Sequence, residues 1–434
     1  MNITLKENRK YDVIVIGGGP SGVAAAVASA RGGAKTLLIE STFSLGGMAT
    51  SGLVTSFAPF DDGIRRISSG IAEEIVKQSN KAIGLREDQL GWLPLSPEDF
   101  KLILDNLVIE SGAEISFGTV ICGADSEDGT IKSILGANKN GLCRYFAKTF
   151  VDCTGDADVA AFAGADFVIG DDSGETQPAS LCFILSGVND ATFHQPSVYG
   201  GNPESPIHKI RALGDKYPLI TDEHLCVGKI APGIVAFNAG HVPLLNYTDN
   251  TDVSKSVMLG RLIARQFCDA LKEVAPETFG NAHLISTAPS LGVRETRRIV
   301  GEYSLTMDDY IARRTFPDEI ARNCYFIDLH TTSMHSLNSK EEEKARCYYK
   351  KGESHGIPFG CLIPKGFSNL LVAGRSISCE RAIQASIRVM PNCFTTGEAA
   401  GLAAAMSAKS NSSVTSLDIN ALRQALKQNG AYFL

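Results

Sequence analysis

The stretch Tyr11–Ala26, YDVIVIGGGPSGVAAA, decides how the rest of the chain reads. Tyr11–Ile16 is a short β-branched run, suited to a fully buried strand, and it stops at Gly17-Gly18-Gly19. Ser21–Arg31 is alanine-rich and helix-prone, with Gly32-Gly33 ending it, and Lys35–Glu40 (KTLLIE) is a second buried strand. Strand, turn, helix and strand in that order form the βαβ unit of a parallel sheet. Within it, Gly17-Gly18-Gly19-Pro20-Ser21-Gly22 fits G-x-G-x-x-G in the context the motif requires, after a strand and before a helix. Gly17 makes the tight turn, Gly19 lets backbone approach a pyrophosphate, and Gly22 lets the helix pack closely on the strand. The helix start at Pro20-Ser21-Gly22 presents amide donors and a positive dipole end to phosphates. Glu40, closing the second strand, stands where an acid binds the ribose hydroxyls of an adenosine. A dinucleotide is the expected ligand.

Outward from this unit, Ser96-Pro97-Glu98-Asp99 places a capping serine, a first-turn proline and two acids at the start of a helix reaching about Glu110. Ala113–Asp152 reads as short strands with turns at Asp128-Gly129 and Asn138–Gly141, an antiparallel meander. From about Asp166 to Lys365 the pattern is less periodic and holds all eight histidines. Prolines around Pro196–Pro206 suggest a looped surface excursion, Asp252–Val274 one amphipathic helix, and Glu341–Ala345 a solvated charged turn. After Pro364 the α/β pattern returns. Asn369–Ala373 is a buried strand, Gly374 a sharp turn, and Pro391 opens an alanine-rich helix through Ser407. A last helix, Leu417–Gln428, is expected to be capped by Thr415 or Ser416. The fold class is α/β: a Rossmann-like nucleotide domain built from residues 1–165 and 366–434, with an α+β substrate domain inserted at 166–365.

Composition narrows the function. The 434 residues are 44% apolar and 21% charged, which excludes a disordered chain or a disulfide-stapled mini-domain. The net charge is −7, with no long basic run, so nucleic acid is not an expected partner. No stretch approaches the ~18 continuous apolar residues of a membrane span. The polar start shows no signal-peptide pattern, and eleven cysteines without a Cys-x-x-Cys pair read as buried thiols. A cytoplasmic location is the expectation, with self-association left open.

Several segments together resemble the FAD-dependent oxidoreductase family of the glutathione-reductase-like flavoprotein fold. They are Tyr11–Gly22, Leu45–Val54 (LGGMATSGLV), Phe150–Gly164 (FVDCTGDADVAAFAG), Leu291–Tyr303 (LGVRETRRIVGEY) and Asn369–Gly401, spread over nearly the whole chain. The resemblance implies FAD, with Gly17, Gly19 and Gly22 on the pyrophosphate and Glu40 on the ribose. It also implies Gly46-Gly47-Met48 beside the ribityl chain and flavin edge, Val120 near adenine, and Thr154-Gly155 closing over the dinucleotide. Related flavoproteins end the late strand in Gly-Asp. Here Gly374-Arg375 stands in that place. A helix opened by Pro391 would direct the amides of Asn392 and Cys393 at the flavin pyrimidine, where negative charge gathers on reduction.

Flavin carries the redox step, so the chain must bind, orient and handle a proton. Arg294 and Arg297, on one face if their segment is helical, could clamp a carboxylate, with Arg298 beside them. The competing reading has these arginines holding Glu295, Glu302 and nearby carbonyls. His330, after the strand-like Cys324–Leu329, could move a proton at neutral pH, ahead of His241, His335 and His355. The histidine spacing is not that of a metal site, so no metal is expected. Cys153, Cys379 and Cys393 have no second cysteine nearby for a dithiol relay. The reading is a dehydrogenase or reductase passing hydride between flavin N5 and a small polar or carboxylated metabolite, with the electron partner open. The alternatives are a non-redox flavoprotein, resembling tRNA-modifying enzymes, or a flavin-holding interaction protein.

Overall fold

The computed structural model describes residues 5–242, 246–330 and 348–434. His335 and the expected turn Glu341–Ala345 lie outside them. β1 (Lys6–Ile16), α1 (Pro20–Arg31) and β2 (Thr36–Ile39) form the anticipated unit, with β1 and β2 parallel and all of β2 buried.

β1 and β2 sit in a seven-stranded sheet. Its order is Glu114–Ser116, β2, β1, Gly141–Asp152, Thr130–Asn138, Val120–Glu127, and Leu370–Val372 adds to Gly141–Asp152 as a parallel neighbour. The strand Gly141–Asp152 is long enough to serve two partners on one edge. Leu142–Tyr145 pairs with the meander, and Phe150–Asp152 pairs with the late strand. Asp128 and Gly129, at φ 47° and 69°, make the two-residue hairpin turn. This is a Rossmann-like α/β sheet carrying an antiparallel meander.

The alanine-rich helix Met390–Ser410 lies directly on α1. A Cβ on Gly397 would come 2.1 Å from the Ser21 carbonyl oxygen, and one on Gly401 the same distance from that of Ala25. Only glycine lets two backbones approach that closely. The helix Pro97–Ser111 is capped by Ser96, whose Oγ accepts from the Asp99 amide at 3.5 Å.

A second, antiparallel sheet orders Leu225–Ala231, Ile234–Ala239, Phe183–Ser186 and His283–Thr287, and the helix Asn250–Val274 covers it. Phe183 and Phe237 stack there at 5.0 Å. This core draws on residues 179–291 together with Leu53, whereas Leu305–Ile363 contributes to the core beneath α1.

Two local expectations are corrected. The last helix is Ile419–Gln428, capped by Asp418, because Val414–Ser416 closes a separate 3₁₀ turn. Around Pro196–Pro206 the chain forms two short helices, Gln195–Val198 and Pro206–Ala212, each with proline in its first turn.

Candidate functional site: a glycine cradle and a histidine cluster

The glycine turn is closed on three sides and open on one. A Cβ on Gly17 would meet the Cys153 carbonyl oxygen at 2.4 Å, and one on Gly22 the Gly17 carbonyl oxygen at 1.7 Å. On Gly19 a Cβ would meet nothing within 4 Å. That open face adjoins the start of α1, where Pro20, Ser21 and Gly22 form a first turn with no side-chain cap. Glu40 ties the turn to β2. Its Oε2 accepts from the Gly18 amide, and its Oε1 from the Thr42 amide at 2.7 Å. Ser41 Oγ also donates to Oε1 at 3.2 Å, so Oε2 is the oxygen with a second lone pair for a ribose hydroxyl. The Gly46 amide donates to Gly18 O at 2.8 Å, so Gly46, Gly47 and Met48 continue the cradle. Val120 opens its strand beside Thr119, whose amide donates to Glu40 O at 3.1 Å.

Opposite, Gly155 at φ 80° leaves room for the Arg375 guanidinium, which a Cβ would approach to 2.8 Å. Arg375 Nη2 pairs with Asp156 Oδ1 at 2.7 Å, and Thr296 Oγ1 donates to the same oxygen at 2.7 Å. Arg375 Nε is buried with no partner among the described residues. The hydroxyl of Thr154 donates to Asp152 Oδ1 at 2.7 Å, fixing the turn beside Gly17. Gly374, at φ 88°, would push a Cβ to 2.8 Å from Ser21 Oγ. The open wall at Gly19, the uncapped helix start and the orphaned Arg375 donor fit a bound dinucleotide.

The second helix start needs one correction. It begins at Met390, one residue before Pro391, so the Cys393 amide donates to Val389 O at 3.1 Å and is not a free donor. Asn392 keeps its place at that helix start, with its side chain held by Asn323 Oδ1 at 2.6 Å. Burial pushes the thiols of Cys379 and Cys393 up to about 12, and that of Cys153 higher still, which makes all three inert.

The arginine segment is not helical. Arg297–Ile299 is a strand paired with Phe167–Ile169, so successive side chains point to opposite faces. Arg297 binds Asp158 Oδ1 at 2.8 Å and Asp156 O at 2.9 Å, beside the Thr154–Asp156 turn. Arg298 binds Glu295 and the carbonyls of Gly170 and Cys379. The expected paired clamp of Arg294 and Arg297 is therefore absent among the described residues, and Arg297 stands with the structural contacts.

Arg294 points the other way. Its Nη1 donates to Pro178 O at 2.8 Å, and its Nη2 lies 3.1 Å from His224 Nε2. His224 belongs to a cluster with His241 and His330, in which one nitrogen of each ring lies within 4.8 Å of one nitrogen of the other two. His241 Nε2 is 3.0 Å from His330 Nδ1. The outer nitrogens meet carboxylates: His241 Nδ1 to Asp222 Oδ2 at 3.1 Å, and His330 Nε2 to Asp328 Oδ1 at 3.4 Å. Asp328 Oδ2 also accepts from Arg388 at 3.2 Å, just before the helix start at Met390. The cluster thereby reaches the end of the cradle where a flavin ring would lie.

Burial first, then the charge of Arg294, pushes His330 down to about 3, leaving a neutral imidazole at pH 7. Burial and Arg294 also hold His224 well below its ordinary value. Burial opposes ionisation of Asp328, but the hydrogen bond to His330 and the charges of Arg388 and Arg294 keep it well below the usual carboxylate range. Burial likewise opposes ionisation of Asp222, while the hydrogen bond and charge of His241 bring it to about 2. Burial lowers Arg294 itself to about 10.

Sequence spacing hid this cluster. The available signal was the pair Asp222-x-His224 and Asp328-x-His330, two Asp-x-His elements in extended segments. Three imidazoles this close also raise the question of a metal. The rings of His224 and His241 stack within 6° of parallel at 4.6 Å, so their in-plane lone pairs do not converge on one point. Arg294 already donates toward His224 Nε2, and a cation beside that guanidinium would be repelled.

A family model described as FAD dependent oxidoreductase matches residues 12–426. Thiamine thiazole synthase of Saccharolobus solfataricus is 32% identical over 110 residues, which are 25% of this chain and 38% of that protein. The thiamine thiazole synthase of Methanococcus aeolicus is 29% identical over 168 residues, 36% of this chain and 59% of that protein. The chain thus spans less than two thirds of the length of these curated relatives. Among solved structures, p-nitrophenol 4-monooxygenase of Pseudomonas putida superposes with a TM-score of 0.50 at 11% identity, covering 97% of this chain and 87% of that one. That likeness is one of fold. No helix among the described residues is long and apolar enough to cross a membrane.

Proposed function

This chain belongs to the FAD-dependent oxidoreductase family, and from that premise we propose a dehydrogenase or reductase that exchanges hydride between flavin N5 and a small polar metabolite bearing a carboxylate. When bound, FAD supplies the two-electron chemistry. The glycine cradle would hold its phosphates on Gly17, Gly19 and Gly22, its ribose on Glu40, and its ring between Gly46–Met48 and the helix start at Asn392. The finer likeness to the glutathione-reductase-like arrangement rests on that placement.

The observation that carries the reading is the juxtaposition of a neutral base and a buried cation. His330 stands in one cluster with Arg294, through His224. Arg294 has no carboxylate within 4.0 Å among the described residues, and it shares the field of Asp328 with Arg388. A buried guanidinium so poorly compensated gains from an anionic ligand. In the oxidation direction, the substrate C–H pair leaves as hydride, the O–H electrons become the new C=O bond, and the proton goes to His330.

The test is anaerobic mixing of the FAD-loaded protein with hydroxy acids, amino acids, alcohols and amines. Loss of the oxidised-flavin absorption with an acid but not with its uncharged ester supports the proposal. If no member of the panel changes the flavin oxidation state, the proposal fails.

A further inference from the structure

We propose that Asp222, His241, His330 and Asp328 form a proton relay, carrying the substrate proton from the flavin end of the site to Asp222. It rests on the oxidoreductase reading only for the source of that proton. Three contacts link the four side chains in a line: 3.1 Å, 3.0 Å and 3.4 Å from Asp222 to Asp328. The three contacts use both nitrogens of each ring, so neither imidazole ends the line.

Counting hydrogens gives the line its property. With both rings in the neutral form the pair carries two N–H groups, yet the three contacts need three hydrogens to be filled. In that form one contact is short of a proton. In one tautomer His330 donates Nε2–H to Asp328 and the bare contact lies between the rings. The line takes up a proton in the alternative tautomer, with His241 Nδ1–H on Asp222 and His330 Nδ1–H on His241, whose bare atom is His330 Nε2, facing Asp328. A proton arriving there makes His330 cationic. Its Nδ1 proton passes to His241 Nε2, and the Nδ1 proton of His241 leaves through Asp222. One proton enters, one leaves, and the bare atom is now His241 Nδ1. Reversal of the same shifts delivers a proton to substrate in the reduction direction.

The surroundings suit transfer through this line. Arg294 and Arg388 face the His330–Asp328 end of the relay and stabilise the Asp328 carboxylate, while Asp222 at the other end is held by backbone amides and by His241. The other titratable groups beside the relay, His224, Tyr325 and Cys226, are neutral at pH 7. The two carboxylates at the ends are the exposed members, Asp222 at 26% and Asp328 at 32%, against 13% for His241 and 15% for His330, so the line runs between two openings, one at the flavin end and one at Asp222. Asp222 also accepts from the backbone amides of His224 at 2.8 Å and His241 at 3.0 Å, so the exit residue is fixed against the ring it serves.

Histidine-selective ¹⁵N spectra of the FAD-loaded protein, taken without substrate, test the connection. The relay requires D222N to shift the His330 nitrogens, which Asp222 does not touch, and D328N to shift those of His241. H224Q should leave the His241–His330 N–H resonance in place. If D222N and D328N each perturb only the adjacent ring, or if H224Q alone removes that resonance, the relay is overturned. A second measurement follows proton release to a pH indicator during a single anaerobic turnover with an active substrate. Release should slow by about tenfold or more in D222N and H241Q, and unchanged release overturns the proposal. Should no substrate reduce the flavin, the functional reading fails while the spectra still decide the relay.

Discussion

Gly22 rides so close over Gly17 that a Cβ on it would sit 1.7 Å from the Gly17 carbonyl oxygen, while Gly19 between them faces open space. The two glycines of one motif therefore do different work. G22A forces α1 away from β1, and a loss of about 3 kcal/mol in unfolding free energy is expected. G19A should leave stability unchanged, since Gly19 has φ −70° and its Cβ meets nothing. If the cradle holds the pyrophosphate as proposed, that Cβ would stand in its path, and FAD affinity should fall by more than about tenfold. Thermal unfolding of the FAD-free protein and an FAD titration separate the two effects.

The arginines of the Leu291–Tyr303 segment divide in a similar way. Glu295 is fully buried and accepts from Arg298, Arg381 and the Gln177 amide. E295A leaves two guanidiniums without that carboxylate, a loss of about 3–5 kcal/mol. R297A breaks a partly exposed pair with Asp158, about 1 kcal/mol, and should not change the KM of any active substrate. A raised KM in R297A at intact stability would return Arg297 to the substrate site.

The fold was legible where the deciding residues are neighbours in sequence. Ile16, the glycines, the alanines of α1 and Glu40 specify strand, turn, helix and strand within one short stretch, and Ser96 announces its helix locally. The strand Arg297–Ile299 was not legible in its own segment, because its partner, Phe167–Ile169, lies far back in the chain and overrides the local pattern. The histidine cluster is hidden for the same reason. His224 and His241 flank one hairpin of the second sheet, and His330 arrives from beyond the helix Asn250–Val274. Asp418 took the cap from Thr415 and Ser416 only because a 3₁₀ turn intervened.

Glu398 couples stability to pH. Its Oε2 accepts from the Ile71 amide at 2.9 Å, and Gly70 at φ 67° makes room for the carboxyl. Burial raises its pKa from 4.5 to about 8, so the folded chain holds a proton that the unfolded chain releases. The folded state therefore binds more protons between these values, and this contribution is fully present below about 4.5 and lost as pH rises through about 8. E398Q keeps the acceptor for Ile71 without the ionisation. Urea unfolding across that window should show a smaller fall in stability with pH for E398Q than for the unsubstituted protein. Parallel curves would mean that Glu398 is ionised in the fold.

Asn392 offers the most direct test of whether the helix Met390–Ser410 points its start at a flavin ring. It is buried in the first turn, and its Nδ2 reaches Asn323 Oδ1 at 2.6 Å. N392D keeps the shape but puts a negative charge at the positive end of the helix, against the site where the reduced ring would gather its own. The expected result is a two-electron midpoint potential lowered by about 20–40 mV, equivalent to about 1–2 kcal/mol. Replacing Asn323 by Asp at the same time adds a second acceptor and should lower folding stability with it, whereas N392D with N323S removes the opposing oxygen and isolates the effect on potential. Equilibration with redox dyes reads the potential, and flavin binding measured beside it guards against loss of the cofactor. A potential that stays put in N392D with N323S, at full flavin occupancy, would place the helix start away from the ring.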